Sequence, residues 1–90
     1  MIFRVDFSDQ AEKFLEKNNI PKENFFETIK DGVRKFRGEI INIDIKKLGG
    51  KWDGFHRIRK GKIRILAFFD FDNLLVLVDV VDWRGSAYKH

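Results

Sequence analysis

The chain has 90 residues, 43% of them hydrophobic and 14% aromatic, which suits one folded domain and excludes a disordered chain. It has no cysteine, so disulfides and thiolate metal sites are excluded and a reducing compartment fits. Lys and Arg number 18 against 14 Asp and Glu, a balance that suits a polyanion or an acidic protein segment equally well.

Phe3, Val5 and Phe7 alternate with Arg4 and Asp6, which predicts a first strand. Those two charges also interrupt the opening, so no secretory segment is expected. The longest apolar run, Leu74 to Val78, is too short to span a bilayer, and the expectation is a soluble, cytoplasmic protein with no membrane partner. Ser8 suits a helix N-cap, and Ala11, Phe14 and Leu15 follow at helical spacing up to the Asn18-Asn19 pair. Pro21 fits the first turn of a second helix, in which Phe25, Phe26, Ile29, Val33 and Phe36 form an apolar face ending near Gly38.

Beyond Gly38 the period changes to two, with Ile41, Ile43 and Ile45 alternating against Asn42, Asp44 and Lys46. Gly49, Gly50 and Gly54 mark a loop. Strands are predicted from Phe55 to Lys60 and from Lys62 to Asp70, turned at Gly61. After a turn at Asp72 and Asn73, Leu74 to Val81 is the most apolar strand and is expected to lie centrally. The order predicts an α+β domain over residues 1–90: an N-terminal strand, a helical hairpin, then a largely antiparallel sheet with the helices packed on one face.

Alternation also places candidate functional groups. Ile58 suits the helix-covered face, so Arg57 and Arg59 should project from the uncovered one. Across the hairpin, Ile63 and Ile65 send Arg64 to that same open side. Arg84 and Tyr88 follow the last strand, where the chain can fold back toward it. From Lys46 to Arg64 the basic residues are Lys46, Lys47, Lys51, Arg57, Arg59, Lys60, Lys62 and Arg64, with Asp53 the only acid between them. Clustered guanidiniums grip phosphate oxygens bidentately and stay charged at any physiological pH. A phenol adds a surface for base stacking and a hydroxyl able to exchange a proton. These groups suffice for RNA cleavage by attack of a 2′-hydroxyl on the neighbouring phosphate.

Other residues read as structural. His56 alternates away from the arginines and is expected to be packed or at the surface. Asp70 and Asp72 flank a turn, where Asp is common, and no metal site is expected. The phenylalanines are assigned to the core, except Phe55 and Phe68, which suit the open face.

The stretch DIKKLGGKWDGFHRIRKGKIRILAFFD resembles the central signature of RelE/ParE-family toxins, a Leu-x-Gly loop followed by Arg-x-Arg-x-Gly-x-x-Arg. The ending DVVDWRGSAYK resembles the family's closing strand and Arg-x-x-x-Tyr tail, and the opening FRVDFSDQAEKFL its first strand and helix. The resemblance implies a type II toxin that enters the ribosomal decoding site and cuts the mRNA held there, without metal or other cofactor. Its expected partners are a cognate antitoxin and the mRNA-bearing ribosome. By position, Arg57 and Arg59 would orient the scissile phosphate and attacking sugar, and Arg64 would stabilise the transition state. Arg84 would neutralise the leaving group and Tyr88 stack on a base. The local basic excess makes Lys46, Lys47, Lys51, Lys60 and Lys62 the expected RNA-binding residues. Trp83 stands where many relatives have His, and Ile63 where an aromatic is common, so the His/Glu subtype is not expected. A ParE-like DNA gyrase inhibitor, or a domain that only binds RNA or antitoxin, is the alternative.

Overall fold

The structure, a computed structural model, describes residues 2–84. Its elements are β1 (Arg4–Phe7), α1 (Asp9–Lys17), α2 (Glu23–Phe36), β2 (Asp44–Lys47), a 3-10 turn (Gly50–Trp52), β3 (Phe55–Lys60), β4 (Ile63–Asp70) and β5 (Leu75–Trp83). Ser8 caps α1, its hydroxyl accepting a bond of 3.1 Å from the Ala11 N–H. Pro21 lies just ahead of α2, in the turn closed by the 3.1 Å bond from the Asn24 N–H to its carbonyl, and not inside the first helical turn. Gly38 ends α2 as expected. At φ +91 it takes a left-handed conformation and lets Glu39 N–H reach back to the Arg34 carbonyl at 3.2 Å. No helix among the described residues is long and apolar enough to cross a membrane.

The five strands form one sheet in the order β1-β5-β4-β3-β2. Only β1 and β5 pair in parallel; the remaining neighbours are antiparallel. The apolar β5 is therefore interior but not central, because β1 attaches outside it and β4 takes the middle. Beyond the end of β1, the Gln10 side chain substitutes for a strand neighbour. Its amide donates to the Val81 carbonyl at 2.9 Å and accepts from the Val81 N–H at 3.0 Å. The alternation at Ile41 and Ile43 does not become strand. The chain joins the sheet only at Asp44, opposite Arg59, because β3 ends one residue later at Lys60 and offers no further edge.

Both helices cover one face. Ala11, Leu15, Phe25, Ile29 and Val33 pack there against Ile58, Ile65, Ala67, Val76, Val78 and Val81. Fully burying the Leu, Phe, Ile and Val side chains among them contributes about 1.5–3 kcal/mol each, which fixes the orientation of β3, β4 and β5. The assignment of the phenylalanines to the core needs correction. Phe25 is fully buried, while Phe26, Phe36 and Phe71 are about two-fifths exposed. Phe36, Phe69 and Phe71 instead form a ring cluster at the end of α2, with Phe36 also 4.8 Å from His56.

Candidate functional site

Directly opposed residues in antiparallel strands share a face, so the strand register defines what the uncovered side of the sheet presents. Asp44 on β2 faces Arg59 on β3, Arg59 faces Arg64 on β4, and Arg64 faces Asp82 on β5. One rung thus reads Asp-Arg-Arg-Asp. The next reads Lys46, Arg57, Leu66 and Val80, and the one beyond is apolar, with Phe55 against Phe68 at 5.6 Å. The three strand arginines are therefore brought together on the side opposite the helices, as alternation predicts.

Their environment differs from a row of solvated cations. Arg57 is only 7% exposed despite lying outside the helical core. Its Nη2 donates to Asp44 Oδ1 at 2.7 Å, while Asp44 Oδ2 lies 3.7 Å from Arg59 Nη1. Each oxygen of this one carboxylate serves a different guanidinium. The Nε atoms of Arg57 and Arg59 are buried with no hydrogen-bond partner among the described residues. A buried guanidinium with donors to spare favours an anion, since leaving such groups unmatched is costly.

Arg84 adjoins this group at the tip of the β3–β4 hairpin. Its backbone N–H donates to the Lys62 carbonyl at 2.7 Å and its Nη1 to the Gly61 carbonyl at 3.2 Å. That tip is two positions along from the Arg59–Arg64 pair. Tyr88 lies outside the described residues. Trp83 turns to the other side of the sheet, 5.2 Å from Phe14 on α1, so the side chain in that position does not join the arginines. All five candidate RNA-binding lysines are exposed. Of those on strands, Lys46 shares the arginine face. Lys47 and Lys60 pair with His56 and Ile63 and so alternate to the other side, while Lys51 and Lys62 sit in the 3-10 turn and the hairpin turn.

His56 packs as expected between Phe36 and Phe69, at 4.8 and 5.9 Å. Burial lowers its pKa from the usual histidine value, and the charge of Lys47 lowers it further. Asp70 is a turn residue. It accepts 3.1 and 2.8 Å bonds from the Asn73 backbone and side chain, which lower its pKa below the ordinary carboxylate value.

No protein-family model matches the chain, and no curated protein matches it. Solved structures do. The RelE–RelB complex from Pyrococcus horikoshii OT3 matches with a TM-score of 0.64 at 24% identity, covering 97% of this chain and 100% of that one. The RelB–RelE antitoxin–toxin complex from Methanococcus jannaschii matches at 0.57 with 26% identity, covering 96% and 98%. YafQ from E. coli matches at 0.67 with 9% identity, covering 97% and 99%. The fold is that of the RelE-like toxins.

Within this RelE-like fold, two acids belong to the arginine face that linear reading passed over. Asp44 precedes the basic stretch and Asp82 follows it by eighteen positions, so a count from Lys46 to Arg64 meets neither. The alternation of β2 was a usable signal for Asp44, since Ile45 facing the core sends Asp44 and Lys46 outward.

Proposed function

We propose that this chain is the toxin of a type II toxin–antitoxin pair and cleaves mRNA held in the ribosomal decoding site. The observation that supports it is the adjacency of Arg57, Arg59 and Arg64 on the helix-free face, with Arg84 at the hairpin tip beside them. In the proposed reaction the 2′-oxygen bonds to the adjacent phosphorus as its proton passes to solvent water, and the bond to the 5′-oxygen breaks. The products are a 2′,3′-cyclic phosphate and a 5′-hydroxyl, whose oxygen takes its proton from solvent water. Arg57 and Arg59 orient the phosphate and sugar, and Arg64 meets the charge that develops on the phosphorane. Arg84 faces the leaving oxygen, and Tyr88 stacks on a base. Fixed guanidiniums suit this work because their charge needs no reorganisation as the transition state forms.

An antitoxin partner is supported by the antitoxin–toxin complexes among the structural relatives. A groove of about 450 Å³ between β1 and α2 has an apolar floor of Phe3, Val5, Phe26 and Ile29 and a basic rim at Lys30 and Arg37. An apolar segment with acidic flanks fits that lining. Primer extension on translating mRNA, with and without the protein, tests the enzymatic reading. New 5′ ends within ribosome-bound codons are expected. Intact mRNA together with loss of gyrase supercoiling would replace the reading with the gyrase alternative.

A further inference from the structure

Arg57 raises a difficulty for any role in contacting substrate. It is nine-tenths buried, and its Nη2 donates to Asp44. We propose that Asp44 is an affinity-determining residue of the arginine site, a resident anion standing where the RNA phosphodiester binds and displaced when it does. This rests on the reading of the face as an RNA phosphate site and adds what regulates access to it.

Three observations support it. The carboxylate spans two guanidiniums, Oδ1 to Arg57 at 2.7 Å and Oδ2 to Arg59 at 3.7 Å, as the two non-bridging oxygens of a phosphodiester would. Asp44 is half exposed, with 51% of its side chain accessible, whereas Arg57 retains 9%, so the carboxylate has open solvent to move into and the arginine is enclosed. Finally, Asp44 lies on β2, an edge strand, which has only β3 as neighbour and yields more easily than an interior strand. A carboxylate in this place has two effects. It supplies a counter-charge to the buried Arg57 while the site is empty, and it sets a threshold that an isolated phosphate meets poorly but a properly seated RNA strand overcomes.

The test uses the full chain and a short, fluorescently labelled single-stranded oligoribonucleotide with 2′-O-methyl sugars, which has no free hydroxyl and cannot be cut. Asp44→Asn should bind it on the order of tenfold more tightly, the gain expected when a charge-assisted hydrogen bond no longer has to be given up. Asp53→Asn is the control, because it raises net charge equally from the loop before β3. Unchanged or weaker binding by Asp44→Asn, or an equal gain from Asp53→Asn, overturns the proposal.

Should Asp44→Asn fold poorly, the unmutated chain gives the same answer by NMR. The Asp44 carboxylate carbon and the Arg57 Nε–H resonances should shift together on adding RNA, and a stationary Asp44 signal overturns it. Cleavage plays no part in these measurements. A chain that never cuts mRNA but shows the Asp44 effect loses only the nuclease reading, and a chain that cuts without the effect loses only this one.

Discussion

Removing the Asp44 carboxylate should destabilise the fold through Arg57 rather than Arg59, and a pair of double-mutant cycles separates the two. Arg57 keeps 9% of its side-chain surface and makes the 2.7 Å contact, whereas Arg59 keeps 31% and stands off at 3.7 Å. Breaking a fully buried ion pair from one side costs about 3–5 kcal/mol, because the remaining charge has no counter-ion. Exposed pairs contribute roughly 0.2–1 kcal/mol. Asp44 is half exposed, so water relieves much of the penalty, and the Asp44/Arg57 coupling should come to about 1–2 kcal/mol. The Asp44/Arg59 coupling should stay below about 0.5 kcal/mol. The assay is urea unfolding followed by tryptophan fluorescence for Asp44→Ala, Arg57→Met, Arg59→Met and the two double variants. In a domain of this size, 1 kcal/mol corresponds to a melting shift of roughly 4–8 °C, which gives an independent check. Equal couplings, or a larger one for Arg59, would refute the view that Arg57 is the buried charge needing a counter-ion.

Two further outcomes follow from the packing. The lowered pKa of His56 means that the unfolded chain binds a proton first as pH falls, so stability is fully present above about pH 6.5 and declines below it. His56→Phe should flatten that decline between neutral pH and the carboxylate range; an unchanged slope in unfolding curves would clear His56 of it. Ser8→Ala removes both the cap on Ala11 and a hydrogen bond to the Asp79 carbonyl. It should cost about 1–2 kcal/mol of stability without altering RNA binding.

The parts of this fold that could be read from sequence are those set by short-range period. Ile58, Ile63 and Ile65 each need the helical face, and their neighbours Arg57, Arg59 and Arg64 had no other side to take. The helices followed from the same kind of constraint, with Ser8 and Gly38 marking their ends. Features that depend on how distant segments register against each other were not legible. The pairing of Asp44 with Arg57 and Arg59 depends on the course of the chain from Leu48 to Gly54, which has no period. The parallel attachment of β1 beside β5 joins the two ends of the fold, and hydropathy does not report a neighbour. That is why an interior strand was expected in the middle. Ile41 and Ile43 carried the right alternation for a strand but had no partner backbone to extend along.

Charge shows the same limit. A linear window from Lys46 to Arg64 is strongly basic, yet the outer rung of the folded face balances its charges, with Asp44 and Asp82 enclosing Arg59 and Arg64. The outer rung is electrically balanced, and the positive excess of the face lies with Lys46 and Arg57 on the next rung and with Arg84. Long-range attraction of RNA is weakened by the balanced rung, while the short-range demand for an anion at Arg57 remains.

The most direct test of the proposed chemistry is the rate of mRNA cleavage on programmed ribosomes by the wild-type chain and by Arg64→Ala. Arg64 stands in the middle of the Asp-Arg-Arg-Asp rung, where a phosphorane would meet it, and losing one fixed transition-state donor costs on the order of a hundredfold or more in rate. A drop of that size, with the variant still folded and still bound to ribosomes, is the expected result; equal rates would contradict the assignment.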